Sequence, residues 1–95
     1  MARVMSQRIY FMVHGQVQGV NFRNFTQKKA TELNVTGWCR NTDNEQVEGE
    51  AQGDEDAIKH FLKAIDEGPR PARVVKLDKE ARDIKDGETG FEVRR

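Results

Sequence analysis

Ninety-five residues bound the chain to one domain, residues 1–95, with a single hydrophobic core. Sixteen Lys and Arg against sixteen Asp and Glu leave no net charge, so no global field draws the chain to nucleic acid or an anionic membrane, and anion recognition has to be local. The lone Cys39 excludes an internal disulfide and a multi-cysteine metal site; with no signal-peptide pattern and an apolar run of only five residues, Ile9 to Val13, a soluble cytoplasmic protein is expected.

Residues 1–7 are polar and unpatterned, and are expected to be disordered. From Arg8 onward Ile9, Phe11 and Val13 alternate with Tyr10, Met12 and His14, the period of a strand with one strongly apolar face. Gly15 and Gly19 then bracket a short loop, and Phe22, Phe25, Ala30 and Leu33 form the stripe of a helix from about Phe22 to Leu33, stopped at Asn34. Val35 to Asn41 reads as a second strand, Thr42 to Glu45 as a turn, and Gln46 to Gln52 as the returning strand of a hairpin. Small residues at 49 and 51 leave room there for phenylalanines of a helix packed above.

Asp54 is an N-cap candidate for a second helix. Ala57, Ile58, Phe61, Leu62 and Ile65 lie on its inner side, and Gly68-Pro69 ends it. Val74, Val75 and Leu77 mark a fourth strand reaching to about Ala81. Arg82 to Gly90 is charged and aperiodic, which reads as a mobile loop, and Phe91-Glu92-Val93 is a short closing strand.

Strand, helix, strand, strand, helix, strand is the split βαβ order of a ferredoxin-like βαββαβ sandwich. This is an α+β fold with two helices on one face of an antiparallel or mixed sheet of four to five strands. In that topology strands one and two are parallel with strand three between them, so their C-terminal ends share a rim about 10 Å apart. The glycine loop leaves the first end and Asn41 sits at the second.

Two readings of the loop stand at this point. A Gly-x-x-x-Gly segment between strand and helix serves as a tight connection; it also curls successive N–H groups into one concavity beside the positive end of a helix, with Arg23 in the first turn supplying a planar fork for two oxygens of a phosphate. No Gly-Lys-Ser/Thr follows, so it is not a Walker loop. Asn41 likewise reads either as the residue opening a turn or as an amide facing a bound phosphate with room for a water between them. His14 as a general base and Cys39 as a nucleophile are the weaker options beside a polar strand end and a small core residue.

The strings VHGQVQGVNFR, GWCRN and GPRPARV, with Val47-Glu48-Gly49 and the closing Phe91, resemble the acylphosphatases over nearly the whole chain. The resemblance implies hydrolysis of small-molecule acyl phosphates to carboxylate and phosphate with no metal and no cofactor. It implies that Arg23 binds the phosphoryl group, that the backbone of Gln16, Val17, Gln18, Gly19 and Val20 cradles it, and that Asn41 orients the attacking water. Asn44-Glu45 departs from the glycine that many members carry in the hairpin turn. No nucleic acid or membrane partner is expected, and a monomer is. The competing class is a binding module, since ferredoxin-like sheets also present aromatic residues to RNA; Tyr10 and Trp38 offer a little of that surface, and the neutral charge offers none of the basic surroundings.

Overall fold

A computed structural model describes residues 6–17, 21–70 and 72–94. The elements are β1 (Ser6–Gln16), α1 (Phe22–Glu32), β2 (Thr36–Asn41), β3 (Val47–Asp54), α2 (Glu55–Glu67), β4 (Arg73–Arg82) and β5 (Phe91–Arg94). They form one five-stranded sheet in the order β4-β1-β3-β2-β5. β1 runs antiparallel to β3 and β4, β2 runs antiparallel to β3, and β5 runs parallel to β2. The first four strands carry the ferredoxin-like order; β5 extends the sheet beyond β2.

Alternation decides the faces. Ile9, Phe11 and Val13 of β1, Gly37 and Cys39 of β2, and Val47, Gly49 and Ala51 of β3 point to the buried side. Their partners in the alternation, Tyr10, Met12, Trp38, Glu48 and Glu50, stand on the open side. Ile58, Phe61 and Ile65 of α2 and Phe22, Thr26 and Ala30 of α1 close the core from above. Full burial of a phenylalanine contributes about 1.5–3 kcal/mol, which makes Phe11, Phe22 and Phe61 the main anchors. The space over Gly49 is filled by Phe11 from the neighbouring strand, its register partner, and a Cβ at Gly49 would lie 2.7 Å from that ring. Phe61 of α2 then meets Phe11 edge-on at 5.6 Å. The room expected for helix phenylalanines is thus taken first by a strand residue.

Helix ends follow local chemistry. Asp54 caps α2 by accepting from the Ala57 N–H at 2.8 Å, and Gly68, at φ 71°, closes it through its N–H to the Ala64 carbonyl. Asn34 takes φ 58° just past α1, the left-handed stop expected of it. Within α1 the buried line is Phe22, Thr26 and Ala30, while Phe25 and Leu33 are half-buried. The Thr26 hydroxyl is satisfied by the Phe22 carbonyl at 2.9 Å, which lets a polar residue sit on the core stripe.

Three expectations are corrected. Ser6 and Gln7 are not frayed: they pair with Asp54 and Gly53 of β3 and extend β1. β1 also continues through Gly15 and Gln16 along β4, after a register shift between His14 and Gly15. The segment 83–90 is pinned rather than loose. Arg8, only 3% exposed, gives a two-pronged bond to the Glu88 carboxylate at 2.8 and 3.2 Å and pairs with Glu50, while Gln52 and Lys85 bond each other through backbone and side chain. The lock spans 80 residues of sequence, so no local pattern announces it.

Burial alone would push the Glu88 carboxyl up, but hydrogen bonds from Arg8 and Thr36 outweigh it and hold the group below its ordinary value of 4.5. A carboxyl with a depressed folded value stabilises the fold above its unfolded value, and that contribution is lost as pH falls through the folded one. Glu88→Ala is expected to lose about 2–3 kcal/mol at pH 7, because it leaves a buried guanidinium with one carboxylate partner in place of two. Urea unfolding at pH 7 and below pH 4.5 checks both parts: the variant's loss should shrink in acid.

The hairpin turn holds a second strained point. Glu45 sits at φ 67°, where a side chain is disfavoured, and the turn closes through Thr42 N–H to the Gln46 carbonyl at 2.8 Å. Glu45→Gly should stabilise the chain by roughly 0.5–1 kcal/mol, after allowance for the looser unfolded state, and a thermal or urea midpoint that falls instead would contradict it.

Candidate active site

The two strand ends expected to share a rim do not coincide: β2 ends at Asn41, whereas β1 runs on to Gln16, three residues past the row it shares with Asn41. Val13 of β1 and Asn41 of β2 both face Val47 of β3, so the three residues form one row across the sheet, with Asn41 two strand spacings, about 10 Å, from β1. Asn41 follows Cys39 by two residues and so lies on the same, helix-covered face of β2.

Arg23, in the first turn of α1, reaches the sheet from above. Its own carbonyl lies 3.8 Å from the Cys39 sulfur, which fixes the start of α1 over the end of β2. Its guanidinium donates through Nη1 to the Arg94 carbonyl at 3.3 Å, and Arg94 is the register partner of Arg40, the residue before Asn41. The guanidinium therefore lies beside the end of β5, the strand next to β2, whose last residue is Asn41. The contact to Arg94 is long and exposed, so it aims the side chain without consuming its donors.

Two glutamines that the periodicity did not single out hold the parts together. Gln27 Nε2 donates to the Phe91 carbonyl at 2.9 Å and ties α1 to β5. Gln46 Oε1 accepts from the Gly15 N–H at 2.9 Å, joining the hairpin turn to the start of the glycine loop. Gly15 has φ 134°, and a Cβ there would lie 2.0 Å from the Arg73 carbonyl oxygen, so the bulge that releases the loop requires glycine. Gln16 remains in β1, exposed, opposite Arg73. Val17 is 2% exposed, its side chain in the core, which anchors the loop by a hydrophobic plug. Gln18, Gly19 and Val20 lie outside the described residues.

The remaining candidates do not join these residues. Burial pushes the Cys39 thiol up to about 12, against the opposing pull of Arg23, so it is protonated at neutral pH and unsuited to nucleophilic attack. His14 is on the open face, bonded to Asp78 of β4 at 2.8 Å. Among the described residues no three His, Cys, Asp or Glu side chains are grouped to hold a metal ion, and no helix is long and apolar enough to cross a membrane.

Five strands of ferredoxin-like order under two helices, with an arginine in the first turn of α1 and an asparagine at the end of β2, define the class of a small α+β sandwich. Comparison narrows it. The acylphosphatase family model matches residues 9–93. An acylphosphatase of Salinibacter ruber is 46% identical over 89 residues, covering 94% of each chain. Solved structures of acylphosphatases from Coxiella burnetii and Bacillus subtilis superpose with TM-scores of 0.90 and 0.89 at 36% and 31% identity, covering 99% and 96% of this chain and 100% of each of theirs. The chain belongs to the acylphosphatase family, hydrolases that split acyl phosphates into a carboxylate and phosphate.

Proposed function

We propose that hydrolysis proceeds by in-line attack of water on a phosphoryl group held by Arg23 and the backbone of Gln16, Val17, Gln18, Gly19 and Val20, with Asn41 orienting the water and no metal or cofactor taking part. The observation that carries this reading is the reach of the Arg23 guanidinium to the end of β5, next to the strand that Asn41 closes. The water oxygen bonds to phosphorus, the bond from phosphorus to the acyl oxygen breaks, and the carboxylate leaves with the electron pair. One water proton passes to a phosphate oxygen.

Leaving-group chemistry explains why so few groups suffice. The conjugate acid of a carboxylate has a pKa of about 4, so it departs as an anion without a general acid. Positioning and charge stabilisation then carry the barrier: a permanent cation and oriented N–H groups face the charge that spreads over the phosphoryl oxygens. An amide suits the water because it accepts from it and donates to a phosphate oxygen at once.

Release of phosphate from benzoyl phosphate, followed with and without a strong chelator, tests this reading. Equal rates are expected, and loss of activity with chelator that added metal restores would overturn the metal-independent route. The enzyme is proposed to act as one cytoplasmic, monomeric domain over residues 1–95, which the site's assembly from a single chain supports. No nucleic acid partner is expected. Arg82 covers Tyr10 at 4.9 Å and Arg94 covers Trp38 at 4.6 Å, so the open-face rings that would stack on bases are already occupied.

A further inference from the structure

The β1–β3 ladder ends at Val13 opposite Val47, and the register of β1 against β4 shifts just beyond, between His14 and Gly15. Past that point β3 offers Gly15 no backbone partner in the ladder. Gln46, the residue before Val47, fills the gap: its Oε1 accepts from the Gly15 N–H at 2.9 Å, and its Nε2 donates to the Asn44 carbonyl at 3.2 Å. One partner is a donor and the other an acceptor, so the amide has a single satisfying orientation. The backbone of Gln46 is fixed as well, its N–H to the Thr42 hydroxyl at 3.0 Å and its carbonyl to the Thr42 N–H at 2.8 Å. Thr42 directly follows Asn41. Three hydrogen bonds thus link the residue after Asn41, through Gln46, to the first glycine of the loop, and a fourth, to Asn44, fixes the amide.

We propose that Gln46 is a positioning residue that locks the start of the phosphate-binding loop to the turn that follows Asn41, so that loop and amide stand at a preset separation before substrate arrives. This rests on the loop's role in binding phosphate as read above. A preset loop binds the phosphoryl group without first being ordered, so the benefit falls on affinity; the chemical step, carried by Arg23 and Asn41, depends on the lock far less.

Gln46→Met keeps the length of the side chain and removes both polar contacts. It is expected to raise KM for benzoyl phosphate and the inhibition constant of inorganic phosphate by about three- to tenfold, the scale of one lost hydrogen bond, while kcat stays within about twofold. Unchanged KM and phosphate inhibition, or a fall confined to kcat, would overturn the lock. Amide hydrogen exchange on the wild-type protein without phosphate tests the same point independently of how the variant folds: the Gly15 N–H should be protected, and exchange at the rate of a free loop amide would overturn it. Phosphate inhibition of Arg23→Ala separates the two levels. Normal inhibition of that variant defeats the loop reading itself, whereas an unaffected Gln46→Met beside a weakened Arg23→Ala defeats the lock alone.

Discussion

Arg23→Ala is expected to lower kcat/KM by about 10³-fold or more and to weaken inhibition by inorganic phosphate. The guanidinium is a permanent cation beside the end of β5, next to the strand that Asn41 closes, and the group transferred in the reaction spreads negative charge over its oxygens at the transition state. Loss of a single preset donor in an oxyanion site already removes about 10²–10³ in rate, and this donor also carries charge and a two-pronged geometry. Its cost to stability should be small, because its bond to the Arg94 carbonyl is long and lies at the surface. Steady-state kinetics with benzoyl phosphate, phosphate inhibition and a thermal midpoint check the three parts together. A folded Arg23→Ala protein inhibited by phosphate as well as the wild type would show that the guanidinium does not bind the phosphoryl group.

Asn41→Ala separates the water from the phosphate. It is expected to reduce kcat by roughly two to three powers of ten while leaving the inhibition constant of phosphate nearly unchanged, since in the proposed mechanism the amide acts on the nucleophile and the loop and Arg23 hold the anion. Its position makes the distinction measurable. Asn41 is two strands away from Val13 of β1, with Val47 between, so its removal does not touch the β1 backbone directly. A large loss of phosphate affinity would reassign it from holding water to holding the anion. Together the two variants divide the site into a binding half at the start of α1 and a water-orienting half at the end of β2.

Much of the fold was legible because its signals are local. The alternation from Ile9 to Val13, the cap at Asp54, the stripe through Ile58, Phe61 and Ile65 and the stop at Asn34 are set by neighbours within a few residues, and each stands where periodicity and capping put it. Three features escaped for a common reason. Ser6 and Gln7 are polar, and only the adjacent backbone of β3 makes them strand. Residues 83–90 lack any period, yet Glu88 is 12% exposed because Arg8 lies beneath it. Gln46 looks like an ordinary first residue of a strand, and its contact with Gly15 crosses 31 positions.

By itself the sequence determined the elements, their order and the residue types on which the proposed site rests: glycines that bracket a loop, an arginine at a helix start, an asparagine at a strand end. Tertiary structure alone decided how the segments that carry them are placed. Val13, Val47 and Asn41 share one row across the sheet, Arg23 reaches the end of β5, and Gln46 ties Gly15 to the hairpin turn. Such pairings between distant segments are fixed by the packing of a whole sheet and its two helices, which no short window of residues contains.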